Sequence, residues 1–221
     1  MDWPLAHPHR WDVSPAEAVG IQRDLAARVE ETSLAPWPRT VAGIDVSYRG
    51  DVAQAAIVVL DLETLETVDE AVFVGTPAFP YVPGLLSFRE MPAVLPALER
   101  LHVRPDALVF DSQGRAHPRR LGLASHAGVV LDVPSVGIAK SLLVGRFSDL
   151  GMARGSTAPL IHRKEQVGVA LRTREGKNPV FVSVGHRVTL DAAVALALAT
   201  TTRYKIPEPT RRAHLLTRKE V

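Results

Sequence analysis

Thr40-Val41-Ala42-Gly43-Ile44-Asp45-Val46-Ser47 is an apolar run with a single carboxylate inside it. Two further strand-like runs, Ala53–Leu60 and Val68–Val74, follow at once, parted by short polar turns such as Arg49-Gly50-Asp51. Connections this short join antiparallel neighbours, so the three runs predict an antiparallel trio. Downstream the pattern changes. Leu85 to about Leu101 has helical character but contains Pro92 and Pro96. A proline inside a helix removes a donor and clashes with the preceding turn. The expectation is a turn ending near Glu90 and a helix starting at Pro92. Ala107–Asp111 is a short buried strand ending in an acid, about Leu121–Leu131 a helix, and Ser135–Ala139 another strand.

Three antiparallel strands followed by helix, strand, helix, strand is the order of a ribonuclease H-like α/β fold. That is a mixed sheet, three antiparallel strands then parallel ones, with helices on both faces. The flanks extend it. Ser14-Pro15-Ala16-Glu17 is a capping-box pattern with proline at the first helical position, and an apolar stripe carries that helix to about Glu31. A loop containing Ala35-Pro36-Trp37-Pro38 leads into the first strand. Gln166–Arg172 and Val180–Val184 read as a later strand pair, Thr189–Thr201 as an Ala/Leu-rich helix, and a short helix starts at Thr210. No repeat, low-complexity block or linker interrupts the chain, so residues 1–221 are expected to form one domain.

Composition narrows the function classes. Of 221 residues, 46% are hydrophobic and 23% charged, which suits a packed core and excludes a disordered chain or a fibre. There is no cysteine, so a disulfide scaffold, a thiol nucleophile and a cysteine zinc site are all excluded. No run is long and apolar enough to span a bilayer, and the N-terminus has no secretory pattern. A cytoplasmic protein without membrane association is expected. The net charge of +2 hides an asymmetry. Residues 1–110 hold 8 basic and 16 acidic side chains, residues 111–221 hold 18 and 8. The basic residues are mostly arginine, which forks onto phosphate, so the second half suits nucleic-acid backbone as well as it suits plain compositional bias.

Three acids stand out. Asp45 lies within a run that otherwise reads as a buried central strand, where a carboxylate is costly unless paired or metal-bound. Asp111 ends a buried strand, and ligands of α/β sheets bind at the carboxyl ends of strands. Glu90 falls at a helix start near those ends. Each alone is also readable as a turn, cap or solvated acid. Together they suit Mg²⁺, which prefers carboxylate oxygens, and paired ions of that kind hydrolyse phosphodiesters. His117 lies in the basic loop Arg115–Arg120, His126 on the following helix, and His214 near the C-terminus. His126 also reads as a core imidazole and His214 as a surface one. Lys140 ends the strand Ser135–Ala139, as a phosphate contact or a plain strand-end lysine. Tyr81 sits between prolines in Phe79-Pro80-Tyr81-Val82-Pro83-Gly84, a stiff loop that can present a ring to stack on or wedge between bases.

These segments resemble the endonuclease V family over nearly the whole chain. The resemblance rests on Gly43-Ile44-Asp45-Val46-Ser47 and on Pro80-Tyr81-Val82-Pro83-Gly84-Leu85-Leu86-Ser87-Phe88-Arg89-Glu90. It continues through His117-Pro118-Arg119-Arg120-Leu121-Gly122, Ala124-Ser125-His126, Val136-Gly137-Ile138-Ala139-Lys140 and Pro207-Glu208-Pro209-Thr210. It implies a ribonuclease H-like fold and an endonuclease dependent on Mg²⁺, with Mn²⁺ as substitute. The family cleaves the second phosphodiester on the 3′ side of deoxyinosine in DNA, leaving 3′-hydroxyl and 5′-phosphate ends. By the same resemblance Asp45, Glu90 and Asp111 are the metal acids and His214 a further catalytic group. Pro80, Tyr81, Val82 and Pro83 correspond to the strand-separating wedge. Gly84, Leu86, Ser112, Gly114 and Gly137 would line the base pocket, with His117, His126 and Lys140 supporting phosphate or the active site.

One position departs from the family. The acid is usually followed by glycine in an Asp-Gly-x-Gly turn, whereas this turn is Asp111-Ser112-Gln113-Gly114. A side chain there is expected to bear on lesion recognition rather than on metal chemistry. Two other readings stand beside the nuclease. One is an actin-like nucleotide hydrolase, from Gly43-Ile44-Asp45, although a second Gly-rich phosphate motif is missing. The other is an inosine-binding module that cuts weakly. The partner expected is deoxyinosine-containing DNA, with inosine-containing RNA as a second candidate, and the protein is expected to be a monomer.

Overall fold

The computed structural model describes residues 1–219; Glu220 and Val221, the end of the expected 1–221 unit, lie outside the described residues. The chain opens on α1 (Pro15–Ala26), started by the expected capping box. Ser14 Oγ accepts the Glu17 N–H and the Ser14 N–H donates to Glu17 Oε2. The helix stops at Ala26, short of the expected Glu31. Residues beyond it give their backbone groups to the sheet: the Glu30 N–H donates to His186 Nδ1 at 3.2 Å and its carbonyl accepts from the Arg187 N–H at 2.8 Å.

The three antiparallel strands are β1 (Thr40–Arg49), β2 (Val52–Asp61) and β3 (Thr67–Gly75). α2 (Leu86–Glu99), β4 (Ala107–Phe110), α3 (Leu123–Leu131) and β5 (Ser135–Ala139) follow. β4 pairs in parallel with both β1 and β5. β6 (Thr157–His162), β7 (Glu165–Leu171) and β8 (Val180–His186) then extend the sheet antiparallel from β5. α4 (Leu190–Ala199) and α5 (Glu208–Leu216) complete the fold. The eight strands run β3-β2-β1-β4-β5-β8-β7-β6.

Helices cover both faces, as expected. Ala42 and Ile44 of β1 pack with Met91, Val94 and Leu98 of α2 and Leu123 and Ala127 of α3. On the other face Val41, Val109 and Val136 pack with Ala193 and Leu196 of α4 and Ala213 and Leu216 of α5. β1 lies centrally and is shielded on both sides, which is why its sequence is nearly continuously apolar.

One expectation is corrected here, and one strand is added. α2 is a single helix, with Pro92 and Pro96 inside it, not a turn and a second helix. Each internal proline costs about 3 kcal/mol. Phe88, Met91, Val94 and Leu98, all fully buried at helical spacing, contribute about 1.5–3 kcal/mol apiece and outweigh it. β6 carries no strong strand signal in the sequence because it contains Pro159. It lies at the sheet edge, where a missing N–H is tolerated, with Ala158 and Leu160 turned inward and Thr157 and Pro159 exposed.

Candidate active site

Strand register brings two of the acids together. Ile44 of β1 is opposite Phe110 of β4, so Asp45 and Asp111 follow side by side where β4 ends. Alternation turns Gly43, Asp45 and Ser47 to one face, and α5 lies across it. A Cβ on Gly43 would meet the Pro209 backbone, Asp45 Oδ2 is 3.0 Å from His214 Nδ1, and Ser47 Oγ donates to the Thr217 carbonyl at 3.3 Å. Thr217 Oγ1 stands 3.4 Å from Asp45 Oδ2. Lys140, immediately after β5, forms an ion pair with Asp111.

Glu90 arrives from α2 and is buried. Its carboxyl is pushed up to about 8, first by burial and then by the charge of Asp45, with Asp111 adding to it and Arg89 opposing. Burial also raises Asp111, against the pull of Lys140. Glu90 and Asp111, both raised by burial and by the charge of Asp45, make a low-dielectric site with a natural demand for positive charge.

The donor chemistry fits a hard divalent cation: oxygen ligands only, from three elements meeting at a strand end. Tyr48 Oη adds to the fit. It is buried without a hydrogen-bond partner among the described residues, and it is held above the usual tyrosine range by burial and then by the charge of Glu90. Among the described residues no three His, Asp or Glu side chains are already gathered round one point. Asp45 is turned instead to His214 Nδ1, 3.0 Å away, and Asp111 to the Lys140 ammonium.

Beside the acids is a cavity of about 220 Å³, lined in part by Gly84, Leu86, Ser87, Ser112, His117 and Leu142. This is room for one planar base rather than for a drug-sized ligand. Tyr81, Val82 and Pro83 form its lip, and Tyr81 is 70% exposed. The loop that carries them is tied down at both ends. Phe79 is buried against Phe88, and its carbonyl accepts from Arg89 Nη1 at 2.8 Å. At the other end the Gly84 carbonyl accepts from Gln22 Nε2, His117 Nε2 and Arg119 Nη2 at 3.0, 3.1 and 2.7 Å. The Arg119 N–H donates to His117 Nδ1, which leaves the proton on Nε2. Burial, with the Arg119 charge second, lowers His117 to about 4, so it donates as a neutral ring.

The structure thus brings together Asp45, Glu90, Asp111, His214 and Lys140, and sets Tyr81, Gly84, Leu86, Ser112 and His117 round the adjoining cavity. Pro80 lies in the same loop, exposed at its base. Three expectations change. Gly114 and Gly137 do not line the cavity. A Cβ on Gly137 would stand 2.4 Å from the Gly114 nitrogen, and one on Gly114 would stand 2.0 Å from the Val184 carbonyl oxygen. Both glycines let the Ser112–Gly114 turn lie flat on β5 and β8. His126 has no contact with phosphate-accessible surface or with the acids, and touches the cavity only through Ser87 Oγ, 2.7 Å from its Nδ1. It is fully buried, among Trp11, Phe88 and His9.

Sequence reasoning missed Gln22, Tyr48, Thr217 and His9. Gln22 and His9 lie far along the chain from the motifs they serve, and only their exceptional burial or partners reveal them. Tyr48 and Thr217 carried a weak signal, three residues beyond Asp45 and His214 respectively.

The family model described as Endonuclease V matches residues 23–215. Endonuclease V of Myxococcus xanthus is 53% identical over 213 residues, covering 94% of this chain and 89% of that protein. The crystal structure of endonuclease V from Streptomyces avermitilis superposes with a TM-score of 0.91 at 51% identity, over 96% of this chain and 94% of that one. Endonuclease V of Ciona intestinalis, solved with a 24mer DNA containing an inosine followed by a ribo-adenosine, superposes at 0.81 with 25% identity, over 92% and 95%.

Proposed function

Because this chain belongs to the endonuclease V family, and so is an endonuclease that hydrolyses phosphodiester bonds, we propose that it nicks DNA at the second phosphodiester 3′ to deoxyinosine. The products are a 3′-hydroxyl and a 5′-phosphate, and the role is repair of deaminated bases in the cytoplasm. A single monomeric domain of residues 1–221 carries the activity. The observation that supports this best is the juxtaposition of three mutually repelling carboxyls with a base-sized cavity under an exposed, proline-stiffened tyrosine.

Each part has a physical task. Hypoxanthine pairs weakly, so the cost of flipping it is low. Tyr81 fills the gap it leaves, on a loop held rigid by Phe79 and Gly84. The cavity receives the base, and arginines of the basic half track the phosphates. Asp45, Glu90 and Asp111 would hold Mg²⁺, or Mn²⁺ in its place, which would supply charge stabilisation and an acidified water. His214, oriented through Nδ1 by Asp45, turns its other nitrogen to the attacking water. Lys140, paired with Asp111 at the end of β5, is placed to offer its ammonium to a phosphate oxygen.

The test is a strand-nicking assay on a labelled duplex with one deoxyinosine, a matched control without it, and a single-inosine RNA. Each is run with Mg²⁺, Mn²⁺ or EDTA. A metal-dependent cut one nucleotide beyond the lesion is expected, and the RNA arm ranks the two substrates. Tight lesion binding in EDTA with no nicking in either metal would overturn the nuclease in favour of a binding module.

A further inference from the structure

The N-terminal arm, outside the residues that match the family model, reaches the base cavity through a chain of three hydrogen bonds. His9 Nδ1 lies 2.9 Å from the Arg10 carbonyl oxygen. His9 Nε2 lies 2.7 Å from His126 Nε2. His126 Nδ1 lies 2.7 Å from Ser87 Oγ, and Ser87 lines the cavity. The direction of every bond follows from the first. A carbonyl only accepts, so His9 Nδ1 carries the proton. Burial lowers His9, and lowers fully buried His126 far more, so both rings are neutral and each has one N–H. His9 Nε2 therefore accepts, His126 Nε2 donates and His126 Nδ1 accepts. The Ser87 hydroxyl proton is committed to His126. What the Ser87 hydroxyl offers the cavity is lone pairs only.

We propose that His9 is a positioning residue for base selection: acting through His126, it fixes the Ser87 hydroxyl as an acceptor facing the cavity. The cavity wall then favours a base that presents a ring N–H, as 6-oxopurines do, over one with a bare ring nitrogen. This rests on the reading of the cavity as a base pocket. Without an acceptor at position 9 the His126 proton has no partner at Nε2. The ring then switches tautomer or tilts, and Ser87 is released to point its proton into the cavity.

Two substitutions separate this from packing. His9 stacks against Trp11, Phe88 and His126 with ring centroids 4.1, 5.5 and 4.9 Å away. His9→Phe keeps the ring and loses the acceptor. His9→Gln loses the ring and keeps an acceptor. Histidine ¹⁵N NMR of the DNA-free protein is expected to show the proton on Nδ1 of His9 and on Nε2 of His126. The affinity ratio for duplexes with deoxyinosine and with purine deoxyriboside, which lacks the ring N–H, is measured in EDTA. It is expected to fall about tenfold, one hydrogen bond's worth, in His9→Phe and to be largely restored in His9→Gln. A His126 proton on Nδ1, or selectivity kept by phenylalanine and lost by glutamine, overturns the proposal. Absence of metal-dependent nicking in the parent protein would instead overturn the proposed function, because neither the tautomers nor the metal-free ratio depends on cleavage.

Discussion

A Cβ on Gly43 would stand 2.0 Å from the carbonyl carbon of Pro209, closer than any side-chain atom sits to a backbone. These two residues set the distance between β1 and α5, and hence between Asp45 and His214. Gly43→Ala is expected to push α5 away. The cost is roughly 1–3 kcal/mol of stability, typical of an overpacked contact, and at least tenfold in nicking as the 3.0 Å Asp45–His214 contact opens. Urea unfolding and single-turnover nicking on the same samples check both. Lost stability with full activity would show that the placement of α5 does not serve catalysis.

Asp45→Ala removes one of three mutually repelling carboxylates. Nicking is expected to fall about a thousandfold or more, since a metal acid supplies several kcal/mol of transition-state stabilisation. The melting temperature is expected to hold or rise, because the charge that helps push Glu90 up is gone. Nicking with Mg²⁺ and a thermal melt without it make the pair of measurements. Full activity would refute the assignment of Asp45.

The metal-free protein is expected to lose stability as pH rises. Glu90 stands at about 8 when folded against about 4.5 unfolded, so the folded state binds the extra proton between those values. Its contribution is complete below pH 4.5 and is lost as pH climbs through 8. His117, lowered from 6.5 to about 4, acts in the opposite sense, gaining stability as pH rises from 4 to 6.5. Above that range Glu90 prevails, and a fall of roughly 1–2 kcal/mol is expected between pH 7 and 8.5. Denaturant titrations in EDTA across that range test it. Glu90→Gln should flatten the slope, and Mg²⁺ should restore stability at the alkaline end.

Ser112 lines the cavity at the position where the resemblance leads to an expectation of glycine. Its backbone is not in the left-handed region, so glycine is not needed for conformation. Ser112→Gly only enlarges the cavity. Inosine nicking is expected to stay level or rise severalfold, read as initial rates on the deoxyinosine duplex. A clear loss would show that the hydroxyl contributes to recognition.

Gln22 bridges three partners: its amide donates to the Gly84 and Leu121 carbonyls and its oxygen accepts from Arg119 Nε. Gln22→Leu takes one of three donors from the Gly84 carbonyl and removes the Gln22 partner of the Leu121 carbonyl and of Arg119 Nε, at about 1–3 kcal/mol. It also loosens the C-terminal anchor of the Tyr81 loop. Stability and nicking are expected to fall together, while cleavage of a substrate with the inosine already in single-stranded DNA falls less. Equal loss on both substrates would place the role of Gln22 in folding alone.

Much of this was legible before the coordinates. The runs at 40–75 dictated the antiparallel trio because short turns leave no other pairing. Asp45 and Asp111 betrayed themselves as acids in apolar strands, where burial without function is costly. The expected bounds of β1, β4 and β5 fall within two residues of those observed. The proline rule failed at α2, where a local penalty met a larger tertiary gain. β6 escaped because an edge strand needs only half the pattern of a central one.

The sequence by itself determined which candidate groups are present: three acids, three histidines, a lysine and a stiff aromatic loop, in an order matching one family. Tertiary structure alone decided who meets whom. Gly114 and Gly137 look like pocket residues in the motif, yet they serve backbone packing, because only the fold shows what stands above each Cα. His9 and His126 are 117 residues apart, and Gln22 and Gly84 are 62 apart. Hydrogen bonds over such separations leave no periodicity for a sequence to display, since their partners are chosen by the sheet and helices that carry them together.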